Sequence, residues 1–180
     1  PTTCEELEAR EKSQVQDAEM PPEFRDVFLE ESEEIVAELG ELTQEWLQEP
    51  DTEKLLRDIR RHFHTFKGNG RAVGANVLGE LGWAAQDMLD RSLDGDLAAD
   101  EKVQRLVSDV VKALPDLVES YGKDEGPDVE RIRQLTDACF ALAEGKDVQL
   151  DSIVGEEVAT ELAVSESLEI EPIAAKNLTN

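Results

Sequence analysis

One stretch of the chain reads Arg61-His62-Phe63-His64-Thr65-Phe66-Lys67-Gly68-Asn69-Gly70-Arg71-Ala72-Val73. It places a histidine, a lysine three residues on and a glycine four residues on along one run. A neutral imidazole nitrogen is a competent nucleophile near neutral pH. A cation one helical turn away offsets the charge of a transferring phosphoryl group. A residue without a side chain, also one turn away, leaves room for a large reaction partner. Together these types at this spacing suit a surface imidazole that accepts and passes on a phosphoryl group.

The chemistry needs a helix that exposes His64, and the pattern predicts one over Lys54 to Val73. At about 100° per residue, Leu56, Ile59, Phe66, Gly70 and Val73 fall within roughly 80° of Phe63 and form a core stripe. His64 lies roughly 130° from the centre of that stripe and faces solvent. Arg60, Lys67 and Arg71 flank it on the same face. Gly68 and Gly70 each cost about 1 kcal/mol relative to alanine in mid-helix, and steric access to His64 gives Gly68 a reason to be there. No acid occurs from Ile59 to Gly79, although the chain carries 43 acids against 18 bases. Such a basic island attracts an acidic pocket, which makes Arg60 and Arg71 candidate docking residues.

Other chemistry fits less well. His62 and His64 are two apart and cannot share a metal on one helix face, and no third histidine exists to complete a zinc site. His62 reads as a boundary residue beside the core. No nucleophile elbow, paired catalytic carboxylates or phosphate-cradling glycine loop is present. Trp46 and Trp83 sit at core-like helical positions.

The elements that must hold this helix are helical too. Phe24, Val27, Phe28, Ile35, Leu39, Leu42 and Trp46 recur at three- and four-residue steps. They predict a helix that opens near Pro22 and stops before Pro50. Asp51 is the expected N-cap of the His64 helix, and Gly74 its left-handed end. A third helix is expected over about Asn76 to Leu93, with Gly79 and Gly82 permitting close approach. A fourth runs from about Ala99 to Tyr121, and Pro115 should kink or break it. A fifth spans about Asp128 to Gly145. Residues 1–20 read as a flanking segment or accessory helix, 21–145 as the bundle, and 146–180 as an acidic, disordered linker with a short helix near Glu156 to Val164. The fold expected is all-α, an up-and-down four-helix bundle with one or two accessory helices.

A formal charge of −25 argues against nucleic acid and anionic membrane as partners, because both repel an acidic surface. No run approaches a membrane span. Cys4 and Cys139 follow no ligand spacing and read as unpaired thiols of a reducing compartment. The chain opens at Pro1 without a methionine or a signal-peptide pattern, as a piece excised from a longer protein would.

The His64-x-x-Lys67-Gly68 segment resembles the signature of histidine phosphotransfer (HPt) domains, and the likeness extends over about Phe24 to Leu142. The resemblance implies an up-and-down four-helix bundle without catalytic machinery of its own. It implies His64 as phosphoacceptor, Lys67 as the contact to phosphoryl oxygens and Gly68 as the point of access. It also implies Gln86, twenty-two residues on, as hydrogen-bond partner of the imidazole from the next helix. Gln86 stands where members phosphorylated by kinases typically carry glutamate, which favours exchange with a receiver domain over direct phosphorylation by a histidine kinase domain. By the same resemblance no cofactor is needed, Mg²⁺ belongs to the partner, and the module is a cytoplasmic monomer. Val73-Gly74-Ala75, Leu78-Gly79-Glu80, Trp83 and Leu89-Asp90-Arg91 are similar to the narrower group of chemosensory hybrid kinases of the ChpA and PilL kind, linked to type IV pili. A non-transferring helical docking module is the reading from another class.

Overall fold

The computed structural model describes residues 15–148. They form five helices: α1 (Pro22–Gln48), α2 (Glu53–Ala72), α3 (Asn76–Leu93), α4 (Glu101–Ser120) and α5 (Val129–Ala143). No strand occurs among the described residues, so the expected all-α class is the one observed. The short links between α1, α2 and α3 force consecutive helices to run antiparallel. α1 packs against α2 and α4, while α3 packs against α2 and α5. The core is filled mainly by Trp46, Phe28, Phe63, Phe66, Met88 and a layer of leucines. Among the described residues no helix is long and apolar enough to cross a membrane.

Local chemistry explains most of the boundaries. Pro22 occupies the first turn of α1, where a missing N–H costs nothing. Gly74 takes a φ of +88° after α2, and Ala75 N–H reaches back to Gly70 O at 2.9 Å, the bond that closes a left-handed C-terminal cap. Asp100 caps α4 through Lys102 N and Val103 N. Asp128 caps α5 through Arg131 N.

Several expectations are corrected. The N-cap position of α2 is Thr52 rather than Asp51, and its side chain makes no capping bond. Of the kink or break expected at Pro115, the break does not occur: helix α4 continues through it, with buried residues on both sides of the proline, from Val110 to Val118, anchoring it. The buried stripe of α1 is Phe28, Ser32, Val36, Leu39, Thr43 and Trp46. Ile35 and Leu42 stand at its margin. Phe24 and Val27 are about half exposed, at 52% and 51%.

Of the flanking segment or accessory helix expected over 1–20, only residues 15–20 are described; they are not helical and strap one end of the bundle. Asp17 Oδ1 accepts from Val77 N at 2.9 Å and so caps α3 from sixty residues away. Its other oxygen accepts from Tyr121 Oη at 2.9 Å. Ala18 N donates to Gly74 O, and Arg133 donates to Val15 O. Burial, with the Asp17 carboxylate beside it, pushes the Tyr121 hydroxyl well above its ordinary range. Cys139 is free and sealed in the core, where burial pushes its thiol up to about 12. Lys146 to Val148 are irregular. Cys4, the rest of the segment 1–20, and nearly all of the expected acidic linker lie outside the described residues.

Candidate functional site

The site is built on the seam between α2 and α3, and glycines set how close the two helices come. A Cβ at Gly70 would sit 3.0 Å from Ala75 O, and one at Gly82 would sit 3.1 Å from Lys67 N. At Gly79 it would meet the Arg71 side chain at 3.0 Å and Lys67 O at 3.3 Å. Without side chains there, backbone packs on backbone. The register is strict: Arg71 faces Gly79, His64 faces Gln86 and Arg60 faces Asp90. Each step back along α2 is matched by an equal step forward along α3.

His64 is exposed, while Phe63 and Phe66 on either side of it are buried. Its Nδ1 lies 3.0 Å from Gln86 Oε1. A carbonyl oxygen only accepts, so Nδ1 carries the proton and Nε2 keeps its lone pair for an incoming electrophile. Gln86 itself is buried, and its Nε2 donates to Asp90 Oδ2 at 3.4 Å. Asp90 in turn is paired with Arg60, Nε to Oδ1 at 2.7 Å.

Lys67 is partly exposed one turn from His64 and has no ion-pair partner among the described residues, so its ammonium is uncommitted. Gly68 is exposed, and a Cβ built there meets nothing within 4 Å. Packing therefore does not require that glycine, in contrast to Gly70, Gly79 and Gly82.

The two arginines expected to serve docking are both engaged within the bundle. Arg60 is held by Asp90. Arg71 lies 3.6 Å from Glu80 Oε2 and stacks over the Trp83 ring at 5.7 Å. Partial burial pushes the Glu80 carboxyl up from its ordinary value, against the opposing pull of Arg71. His62 is bound on the other flank, with Nδ1 2.8 Å from Asp58 O and Nε2 paired to Glu38 of α1, which fits the boundary role expected of it.

Trp46 is buried as expected, with its Nε1 donating to Pro50 O. Trp83 is not: it is 41% exposed, one turn before Gln86 on α3. Phe140 of α5 meets it edge-on at 5.5 Å. The core expectation fails because Gly82, not Trp83, turns toward α2. Asp90 also escaped the sequence reading of the site. The signal was present, since Asp90 is four residues beyond Gln86 and Arg60 four before His64. Antiparallel pairing of α2 with α3 brings those two together.

A helical bundle that exposes one oriented imidazole, with a free cation and an open approach beside it, defines a phosphoacceptor module. Residues 23–145 match the family model described as Hpt domain, more than half of the 180 residues, and the chain belongs to that family. It is similar to the chemotaxis protein CheA of Halobacterium salinarum, 28% identical over 121 residues, 64% of this chain and 18% of that protein. It is similar to the chemotaxis protein CheA of Salmonella typhimurium, 23% identical over 145 residues, 80% of this chain and 22% of that protein. The Bacillus subtilis chemotaxis protein CheA is 27% identical over 124 residues, 68% of this chain and 18% of that protein. The chain spans about a fifth of the length of these relatives. No solved structure matches the chain.

Proposed function

We propose that the chain is a phosphorelay intermediate of a chemotaxis-type signalling protein, exchanging a phosphoryl group between His64 and the aspartate of a receiver domain. The observation that carries the reading is the exposed His64 with Nδ1 bound by Gln86, beside an uncommitted Lys67 and open space at Gly68. In the forward step the Nε2 lone pair attacks phosphorus in line, the P–N bond forms and the acyl-phosphate P–O bond breaks. The receiver's aspartate leaves as carboxylate. The ring gains positive charge, with its Nδ1 proton held by Gln86 Oε1. Lys67 offsets the charge on the phosphoryl oxygens. The divalent cation lies in the partner, and the chain brings no cofactor of its own. Trp83, exposed beside the site, adds an aromatic anchor of the kind that dominates docking surfaces.

The module works in the cytoplasm as a monomeric unit of a larger protein. The run from Val73 to Arg91 supports a chemosensory hybrid kinase of the ChpA and PilL kind, serving type IV pili. A second reading, direct phosphorylation by an attached histidine kinase domain, is favoured by the similarity to three chemotaxis CheA proteins. Gln86 weighs against it, because an amide cannot supply the charge of a carboxylate beside the ring.

Incubation with a histidine kinase core and labelled ATP, with and without a receiver domain, separates the two. Relay function predicts label on His64 only when the receiver is present. Equal labelling without a receiver would replace it with the second reading.

A further inference from the structure

We propose that Asp90, clamped by Arg60, is the positioning residue that decides which imidazole nitrogen of His64 takes the phosphoryl group. The inference rests on the phosphoacceptor reading of His64 and adds the device that orients its ring.

Gln86 alone cannot make that choice. A glutamine amide accepts at one atom and donates at the other, and half a turn about its last bond exchanges the two with little change of shape. With Oε1 toward His64, Nδ1 carries the proton and Nε2 is the nucleophile. With the amide reversed, its NH₂ would donate to Nδ1, and the proton would move to Nε2 and block the exposed nitrogen. The ring would then point a donor at the incoming phosphorus.

The choice is made at the next residue of the row, Asp90, which Arg60 holds. Arg60 only donates; its Nε lies 2.7 Å from Asp90 Oδ1 and its Nη2 3.5 Å from Oδ2. Asp90, as a carboxylate, only accepts, from Arg60 on one side and from Gln86 Nε2 at 3.4 Å on the other. Committing the NH₂ of Gln86 to Asp90 turns Oε1 toward His64 Nδ1, 3.0 Å away. Donor and acceptor roles are thus set in sequence from Arg60 on α2, across α3, and back to His64 on α2. The ion pair is about two-thirds covered, with side-chain exposures of 35% and 37%, and such pairs add little stability. Its contribution is the direction of the row.

In Asp90→Asn, Arg60 would hold the Asn oxygen, so the Asn NH₂ would face Gln86. Gln86 must then present Oε1 to position 90 and NH₂ to His64, which inverts the tautomer. In Asp90→Ala the amide loses its guide, and the two tautomers mix. With Gln86→Glu and Asp90→Asn combined the choice disappears, because a carboxylate at position 86 accepts both from His64 Nδ1 and from the NH₂ at position 90.

The test reads the neutral ring of ¹⁵N-labelled, unphosphorylated protein by long-range ¹H–¹⁵N NMR, then measures transfer from a phosphorylated receiver. The wild-type chain is expected to hold the proton on Nδ1 and Asp90→Asn to hold it on Nε2. Transfer to Asp90→Asn should fall by about tenfold, the lower end of what losing such an outer partner costs a functional histidine. Asp90→Ala should show both tautomers. Gln86→Glu with Asp90→Asn should restore the Nδ1 proton and lift transfer well above that of Asp90→Asn alone. An Nδ1 proton retained in both single Asp90 variants overturns the proposal, as does a loss of transfer in the double variant as large as in Asp90→Asn alone. Because the tautomer is read without any phosphoryl donor, the expected spectra together with failure of every donor would overturn the phosphoacceptor reading and leave only the control of the tautomer by Asp90.

Discussion

The α2–α3 seam and the α1–α4 seam are built on opposite principles. Between α2 and α3, glycines at 70, 79 and 82 bring backbone against backbone, and a directed row of polar groups crosses the join. Between α1 and α4 the helices leave an apolar groove of about 650 Å³, lined by Val36, Gly40, Leu47, Val111, Pro115 and Val118. Among the described residues, Gly40 there has nothing within 4 Å of a would-be Cβ, and the buried Thr43 Oγ1 has no hydrogen-bond partner. The tight seam lies under the chemistry. A nucleophile must be held to a fraction of an ångström, and a loosely packed seam would not do that.

Four measurements break or sharpen this contrast. The largest effect belongs to cations on the two seams. Lys67→Ala should slow phosphotransfer by about a hundredfold, the usual scale for one donor to a developing anion, while Lys112→Ala on the groove leaves it unchanged; transfer kinetics with one receiver decide it. Next come the glycines. Gly82→Ala forces a Cβ to 3.1 Å from Lys67 N and 3.2 Å from its Cα, and should cost about 1–2 kcal/mol in denaturant melts. Gly40→Ala, with open space, should instead gain about 0.5–1 kcal/mol. The same sign for both would erase the contrast between the seams.

Gly68→Ala separates packing from access on α2 itself. The added methyl meets nothing in the bundle, so the helix should gain up to about 1 kcal/mol, while transfer from a receiver slows. A more stable variant with unchanged transfer would remove the access role.

The smallest effect is a pH dependence on α4. Burial raises the Asp109 carboxyl above its ordinary value of 3.8, against Arg105 and Lys112, and its Oδ2 has no hydrogen-bond partner among the described residues. The folded state therefore holds that proton more tightly than the unfolded chain. Stability from this group is fully present below 3.8 and is lost as pH rises through the raised folded value. Asp109→Asn should match the wild-type chain in acid and melt higher at neutral pH; an equal gain in acid would contradict the assignment.

The helices were legible in the sequence because their apolar period and end signals agree, as at Pro22, Gly74 and Asp128. The face of α2 that carries His64 followed from the strong stripe of Leu56, Ile59, Phe63 and Phe66. What stayed hidden depends on neighbours. Trp83 has the composition of a core residue, and only the close approach at Gly82 turns it outward. Arg60 looked like a free docking charge until the register set Asp90 against it. Asp17 caps a helix sixty residues away, which no local pattern encodes.

The most direct test of the central claim is transfer from a panel of phosphorylated receiver domains to the wild-type chain and to His64→Gln, with the acid-labile phosphate mapped. The account predicts label on His64 Nε2 from at least one receiver and none on a folded His64→Gln chain. Acid-labile phosphate retained by that variant, or no transfer from any receiver, would contradict it.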